Sequence, residues 1–231
     1  MTETKTRLPY GDEKARVVED MFDRIAPRYD LLNRLLTFRL DVAWRRAAVH
    51  SLELVSGARV LDLACGTGDL CRTLTDDGYR AIGVDFSAGM LAAAHTEAPL
   101  VRADATRLPF PDAALDGLTC GFALRNFVDL AAVLAECARI LRPRGRIALV
   151  DVNAPTSAPA RAVHGLWFRR VVPFVGGVLS DRSAYAYLPA STAYLPPRPD
   201  LLRMVGAAGF SDITHRTLGA GAAQLITGTR S

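Results

Sequence analysis

The sequence has 231 residues, which is enough for one domain with a sizeable hydrophobic core. Half of its residues are hydrophobic, the net charge is only +4, and no basic run or nucleic-acid-binding motif is present, so composition argues against a nucleic-acid partner. The four cysteines lack C-x-x-C spacing and histidine neighbours, so we expect no metal site and free thiols in a reducing cytoplasm.

Residues 12–54 are predicted to form helices outside a central sheet. Their apolar side chains recur at three- and four-residue intervals, as in Val18, Met21, Phe22 and Ile25. This region is expected to cover a substrate site, although additional packing on the sheet would give the same pattern.

A buried strand followed by a glycine turn is predicted at residues 59–69. The apolar run 60–64 carries one acid, Asp62, and leads into Gly66, Thr67 and Gly68. Glycines at such a turn let a ligand approach bare backbone at the start of a helix. The pattern therefore predicts a ligand site at the end of this strand, with Asp62, Gly66, Thr67 and Gly68 as candidate cofactor contacts.

A second acid identifies that ligand as a nucleoside. The apolar run 81–84 ends in Asp85, at the place where an α/β nucleotide site hydrogen-bonds a ribose. A dinucleotide fingerprint would continue with a third small residue, but Cys71 stands there, and Asp69 would oppose a pyrophosphate at the helix N-terminus. The same acid suits a cationic ligand, so the pattern favours S-adenosylmethionine.

The following segments alternate between strand and helix patterns, which predicts a parallel sheet with helices on both faces. The predicted strands are 59–64, 80–85, 100–103, 115–121, 146–152, 211–218 and 222–229, the last antiparallel. The predicted helices of this core are 69–76, 87–95 and 129–141. Ser87 is expected to cap the second helix, and Pro143 with Gly145 to stop the third.

A Pro-rich, aromatic insertion at 155–199 is expected to complete the cap, because ligands of open α/β sheets bind at the carboxyl ends of the strands. Its most apolar stretch, 171–179, is too short to span a bilayer. We expect a single domain, 1–231, with four parts: a helical cap at 12–54, a donor-binding core at 55–154, the cap insertion at 155–199, and a closing helix and strands at 200–231.

The sequence resembles the ubiquinone/menaquinone biosynthesis C-methyltransferases, and above all the demethylmenaquinone methyltransferases. The matching runs cover most of the chain: MFDRIAPRYDLLNRLLTFRLDVAWRR (21–46), VLDLACGTGDL (60–70), GVDFSAGML (83–91), ADATRLPFPDAALD (103–116), ALRNFVD (123–129) and the segment 187–210. The resemblance implies a Rossmann-like class I methyltransferase fold with a seven-stranded, mostly parallel sheet. It also implies S-adenosyl-L-methionine as the methyl donor.

The resemblance carries donor contacts onto Thr67, Asp85, Asp104 and Ala105. Asp104 would accept a hydrogen bond from the adenine amine, although it could instead cap the following turn. Gly121 stands where the family usually has Ser, so no hydroxyl contact is inherited there.

On the acceptor side, the family methylates a ring carbon of a prenylated quinol. Arg125 and Asn126 are expected at the quinol hydroxyl, with Arg125 stabilising a phenolate, and Tyr29 is expected to orient the ring or pass the proton. Asp30 has an equally good explanation as the cap of a helix starting at Leu31.

Two departures bear on the acceptor. Ala123 replaces the glycine of the usual Phe-Gly-Leu-Arg-Asn run, and Asp151-Val152-Asn153 replaces a Glu-Phe-Ser-type run. These changes leave open a paralogue that acts on another quinol or an aromatic polyketide.

Two other classes remain as alternatives: a nicotinamide-dependent oxidoreductase, and a non-catalytic, membrane-associated subunit of a quinone-synthesis complex. We expect a cytoplasmic protein, with peripheral contact at the inner face of the membrane and homodimer formation as open expectations.

Overall fold

A computed structural model describes residues 9–153 and 191–231, so most of the predicted cap insertion lies outside the described residues. The described α-helices are α1 (Gly11–Ile25), α2 (Tyr29–Leu36), α3 (Leu40–His50), α4 (Asp69–Asp76), α5 (Ala88–Ala92), α6 (Leu130–Ile140) and α7 (Arg198–Ala207). The strands are β1 (Arg59–Leu63), β2 (Arg80–Asp85), β3 (Leu100–Arg102), β4 (Leu115–Gly121), β5 (Leu141–Val152), β6 (Phe210–Leu218) and β7 (Ala223–Arg230).

These strands form one seven-stranded sheet in the order β3-β2-β1-β4-β5-β7-β6. Neighbouring strands from β3 to β5 are parallel, while β7 runs antiparallel to both β5 and β6. The predicted antiparallel closing strand and the mostly parallel sheet are therefore confirmed. This order brings the carboxyl ends of β1, β2, β3 and β4 to one edge.

Helices cover both faces of the sheet because alternate side chains of a strand point to opposite faces. In β1, Val60 belongs to the core that contains α3 and α4 side chains, whereas Leu61 belongs to the core that contains α6 and α7 side chains. A third, smaller core lies between α1, α2 and α5 and contains Met21, Leu32 and Met90. This third core attaches the predicted N-terminal cap to the edge where the strands end.

The helix ends agree only in part with the local sequence signals. Ser87 caps α5 as predicted, accepting a hydrogen bond from the Met90 backbone N–H at 3.0 Å, but the helix ends at Ala92 rather than at residue 95. The predicted stop of α6 is wrong in detail, because the helix ends at Ile140 and Pro143 lies within β5. Pro143 occupies an irregular stretch of β5, between its pairings with Leu115 and Gly117 of β4, where extra residues leave the ladder.

Candidate active site

A cavity of about 350 Å³ lies where the predicted donor strands end. Its floor includes Leu63 and Ala64 after β1, Asp85 at the end of β2, and Gly121 at the end of β4. Helix α1 contributes one wall through Ala15, Val18, Phe22 and two acids. The volume falls within the range of small-molecule sites, and its position at strand carboxyl ends is typical of open α/β sheets.

Six of the predicted site residues line this one cavity. They are Tyr29, Gly66, Asp85, Asp104, Ala105 and Asn126. The other four predicted site residues, Asp62, Thr67, Gly68 and Arg125, are not part of its lining. The cavity thus brings six of the ten predicted site residues together, and their roles stay predictions.

The charged side chains among the described lining residues are all acids. They are Asp12, Glu19, Asp85, Asp104 and Asp129. No arginine, lysine or histidine of the described residues lines the cavity. Glu19 is paired with Arg102 at 2.8 Å, and the other acids give the lining a negative charge that attracts a cationic ligand rather than a pyrophosphate.

Asp85 joins the two turns that carry the donor site. Its carboxylate accepts hydrogen bonds from the backbone N–H groups of Gly66 and Ser87, both at 2.8 Å. Each oxygen retains a further lone pair, because an ionised carboxylate has about four acceptor sites. Burial raises the pKa of Asp85, while these two hydrogen bonds oppose that shift. The group is thus fixed in direction and still able to accept from a diol.

The glycine turn supports the cavity from two positions with left-handed backbone. Gly66 has φ +54° and lines the cavity, whereas Gly68 has φ +84° and caps α4. A Cβ on Gly68 would lie 2.7 Å from a methyl carbon of Thr96, so both its conformation and its surroundings require glycine.

Thr67 and Asp30 connect the donor turn to the N-terminal helices. The Thr67 hydroxyl donates to the Asp30 carboxylate, and Thr67 is only 3% exposed. The alternative in which Asp30 caps a helix is wrong, since α2 begins at Tyr29 and its N-cap residue, Arg28, provides no side-chain cap. Asp30 instead holds α2 against the turn.

Asp104 makes the turn contacts that were weighed against its donor role. Its Oδ1 accepts hydrogen bonds from the Thr106 backbone N–H and hydroxyl, both at 2.8 Å. It also lines the cavity together with Ala105. Both explanations therefore hold together, because one oxygen shapes the turn while the other is not used in these hydrogen bonds.

Asp69 does not present a free negative charge to a ligand at the N-terminus of α4, as the sequence had suggested. Its carboxylate pairs with Arg34 at 3.3 Å and Arg45 at 3.2 Å, and also with Arg72. Three guanidinium groups already compensate this charge, and Asp69 does not line the cavity. The acids near a ligand in the cavity are therefore those of its lining and not Asp69.

Arg125 is buried in an ion pair and is not among the residues that line the cavity. It is 5% exposed, pairs with Asp151, and donates to the Phe122 carbonyl at 2.8 Å and to Ser191 Oγ at 3.1 Å. The expectation that its guanidinium reaches the quinol hydroxyl is not supported by this placement. Motif spacing could not reveal the direction of the side chain, because its partner lies 26 residues further along the chain.

Tyr29 lines the cavity as predicted, at the start of α2. Its ring packs edge-on against Phe22 with centroids 5.9 Å apart. Burial raises the pKa of Tyr29, so its phenol stays protonated at neutral pH. This favours hydrogen-bond donation over proton acceptance.

Sequence reasoning missed Arg45 and the acids of α1. Arg45 is 6% exposed and joins Asp41 to Asp69, although only the i,i+4 spacing to Asp41 was visible in sequence. Asp12 and Glu19 resembled the solvated face of a helix.

No cluster of three or more metal-ligating side chains occurs within residues 9–153 and 191–231, and no helix there is long and apolar enough to cross a membrane.

The fold and the acid-walled cavity at its strand ends define an S-adenosylmethionine-dependent methyltransferase. The family model described as the ubiE/COQ5 methyltransferase family matches residues 10–230, and the chain belongs to this family. The chain is 42% identical to a demethylmenaquinone methyltransferase of a Roseiflexus species, covering 97% of this chain and 98% of that one. It is 37% identical to a ubiquinone/menaquinone biosynthesis C-methyltransferase of Geobacter sulfurreducens, covering 94% and 90%.

Solved structures agree on the fold. A methyltransferase from Thermotoga maritima, described as a possible histamine N-methyltransferase, has a TM-score of 0.66 at 19% identity and covers 92% of this chain and 99% of its own. A putative methyltransferase of Haloferax volcanii, solved with the Trm112 activator, has a TM-score of 0.65 at 17% identity and covers 90% and 96%. At these identities the likeness concerns the fold alone.

Proposed function

We propose that this protein transfers the methyl group of S-adenosylmethionine to a ring carbon of a prenylated quinol, with demethylmenaquinol as substrate and menaquinol as product. One observation carries the proposal: residues of the donor motif and of the acceptor-specific motifs line the same cavity. Asp85 and Asp104 come from the former, and Tyr29 and Asn126 from the latter. The names of relatives at about 40% identity support the same acceptor.

The donor side of the cavity fits a nucleoside that carries positive charge. Asp85 can accept further hydrogen bonds from the ribose hydroxyls. Asp104 and Ala105, which follow β3 and line the cavity, would contact the adenine. The acidic wall favours the ammonium and sulfonium groups electrostatically. The bound donor supplies an electrophilic methyl group.

The acceptor side fits an aromatic ring that must be aligned and dehydrated. Phe22, Phe122, Phe127 and Val128 provide apolar wall, which excludes water and presents a flat surface to a quinol ring. Tyr29 donates a hydrogen bond to a quinol oxygen, and the Asn126 amide provides a second donor that stabilises a developing phenolate. The ring carbon takes the methyl group as its bond to sulfur breaks, which leaves S-adenosylhomocysteine, and the one proton released passes to water. Alignment of the ring carbon with the methyl group then accounts for much of the acceleration.

Purified protein incubated with methyl-labelled S-adenosylmethionine and demethylmenaquinol tests the proposal by mass spectrometry. We expect labelled menaquinol from the native chain and loss of donor binding in the Asp85→Asn variant. If the protein binds S-adenosylmethionine and labels an aromatic polyketide but no quinol, it is a paralogue with a different methyl acceptor. Calorimetric binding of NADH without binding of S-adenosylmethionine would replace the methyltransferase with an oxidoreductase.

We also propose that the protein contacts the membrane that holds its prenylated substrate. The outer face of α2 exposes Leu31 and Leu35, and Leu40 follows at the start of α3; their exposed fractions are 56%, 48% and 44%. Arg39, which directly precedes Leu40, is also exposed. An apolar face bordered by arginine fits the interface of an anionic bilayer.

Homodimer formation, checked by sedimentation velocity, remains a prediction from the family resemblance.

A further inference from the structure

We propose that Asp151 is a positioning residue for methyl transfer, holding Arg125 so that the segment 122–127 keeps its place as the acceptor-side wall of the cavity. The inference rests on the proposed quinol methylation. It gives Arg125 an indirect role, and it assigns a role to Asp151, which lies outside the cavity lining.

The ion pair is buried and has several further hydrogen bonds. Asp151 is fully buried at the end of β5, and Arg125 is 5% exposed. The Arg125 Nη1 contacts Asp151 Oδ1, and the Arg125 backbone N–H points to Asp151 Oδ2 at 3.4 Å. Asp151 Oδ1 also accepts from the Val152 backbone N–H at 2.7 Å, so the carboxylate is anchored to its own strand.

The guanidinium in turn holds a segment with unfavourable backbone geometry. Phe122 has φ +60°, a conformation that a bulky aromatic residue rarely adopts. Its carbonyl accepts from Arg125 Nη1 at 2.8 Å, and its N–H donates to Val150 at 2.7 Å. The turn then continues as a 3-10 helix at Leu124–Asn126.

This segment provides much of the proposed acceptor wall. Phe122, Ala123, Asn126 and Phe127 all line the cavity. If Asp151 loses its charge, Arg125 becomes a buried cation without a counter-ion, which is strongly unfavourable. The guanidinium would then move toward water or toward the acidic cavity, and the Phe122 carbonyl would lose its hydrogen bond from Arg125. The contacts expected between S-adenosylmethionine and Asp85 or Gly66 belong to a different turn and would remain.

The chain offers a matched control for a purely structural effect. Asp116 is also a buried acid, 7% exposed, and pairs with Arg142 at 3.0 Å while accepting from the Arg59 backbone N–H at 2.7 Å. It lies at the start of β4, whereas the cavity lies at the other end of that strand. Asp116→Asn should therefore lower stability without changing the acceptor wall.

The experiment compares Asp151→Asn, Asp151→Glu and Asp116→Asn as full-length chains. For Asp151→Asn we expect kcat/KM for the quinol to fall at least tenfold, the Kd for S-adenosylmethionine to change less than twofold, and amide hydrogen exchange in residues 122–127 to accelerate at least tenfold. Asp151→Glu, which restores the charge, should recover part of both losses. Asp116→Asn should change the melting temperature only.

Native turnover in the same assay tests the proposed function separately. If the native chain does not methylate the quinol, that function fails, while the exchange readout still tests the positioning of the segment. Native-like exchange in residues 122–127 of Asp151→Asn would overturn the inference. Equal losses of kcat/KM in Asp116→Asn and Asp151→Asn would do the same, since stability alone would then explain both.

Discussion

Asp62 lies at the end of β1, beneath the donor turn, and is 1% exposed. The Thr119 hydroxyl donates to it at 2.9 Å, and the Cys71 thiol lies 3.7 Å away. Burial raises the pKa of Asp62 to about 7, more than these hydrogen bonds lower it. The residue therefore binds a proton in the folded state at pH values where the unfolded chain has released it.

This difference predicts how stability depends on pH. Because the folded pKa exceeds the unfolded value of about 3.8, the contribution of Asp62 is fully present below that value and is lost as pH rises through about 7. The resulting loss in the free energy of unfolding between low and high pH is on the order of 4 kcal/mol. We expect Asp62→Asn to be more stable than the native chain at pH 8, with a flatter stability profile between pH 5 and 7.

Urea unfolding of both proteins across this range measures the effect. Asn can keep the hydrogen bond from Thr119, so the substitution removes the titration and retains the contact. Asp76→Asn, at an exposed position near the end of α4, is the control and should run parallel to the native chain. Parallel profiles for Asp62→Asn as well would contradict the raised pKa.

At the scale of elements, helix α1 acts as a wall that is fastened to the donor site. Asp23 accepts from the Ser87 hydroxyl and from the Gly89 backbone N–H, the latter at 2.9 Å. At the other end of α1, Lys14 Nζ donates to the Phe127 carbonyl at 2.7 Å. Burial lowers the pKa of Lys14 to about 8, so the amine is mostly charged at neutral pH.

Gly89→Ala tests this attachment. A Cβ there would lie 2.8 Å from the Cα and Oδ1 of Asp23, so α1 must move away from α5. We expect the Kd for S-adenosylmethionine to rise about tenfold, roughly 1.4 kcal/mol, because the acidic wall retreats from the ligand. Isothermal titration calorimetry gives this value directly.

Gly206→Ala is the matched control, because that glycine is also helical and its added Cβ meets Ile213 at an ordinary 3.5 Å. Its donor affinity should equal that of the native chain. If Gly89→Ala also binds the donor normally, α1 is not a functional wall of the cavity.

Elements were predictable to the degree that their signals were local. The buried parallel strands read as apolar runs, and β1, β2 and β4 begin at the predicted residues. The start of β5 was missed by five residues, since Pro143 and Gly145 indicate a turn and only the pairing of Leu141 with Leu115 extends the strand. The role of α1 was equally hidden, because its fastening contacts cross more than 60 residues of chain.

Over the whole molecule, topology explains which site residues sequence could find. Asp85 follows directly from the strand that positions it, so spacing located it in the cavity. Arg125 depends on Asp151, a partner on another strand, and its orientation could not follow from a motif. Asp69 was misread for the same reason, since three arginines from α2, α3 and α4 surround it only after folding.

The same view of the whole molecule places the apolar face of α2 beside the cavity. The inner side of α2 carries Tyr29 to the site, while Leu31 and Leu35 point outward. A protein lying with this face on a bilayer would bring its cavity close to the prenylated substrate. Transfer of two half-exposed leucines into the interface contributes about 2 kcal/mol, which corresponds to roughly a 30-fold change in partitioning.

Flotation with phosphatidylcholine and phosphatidylglycerol vesicles measures this partitioning. We expect the native chain to float and the Leu31→Glu/Leu35→Glu variant to remain mostly in solution, because burial is lost and two negative charges face an anionic surface. Val55→Glu is the control, since Val55 is 74% exposed in the loop before β1, at the opposite end of the sheet from the cavity. Equal flotation of the double variant and the native chain would rule out α2 as the membrane-binding face. If the double variant instead dissociates a native dimer in sedimentation velocity and no protein floats, the face is a contact between copies of the chain.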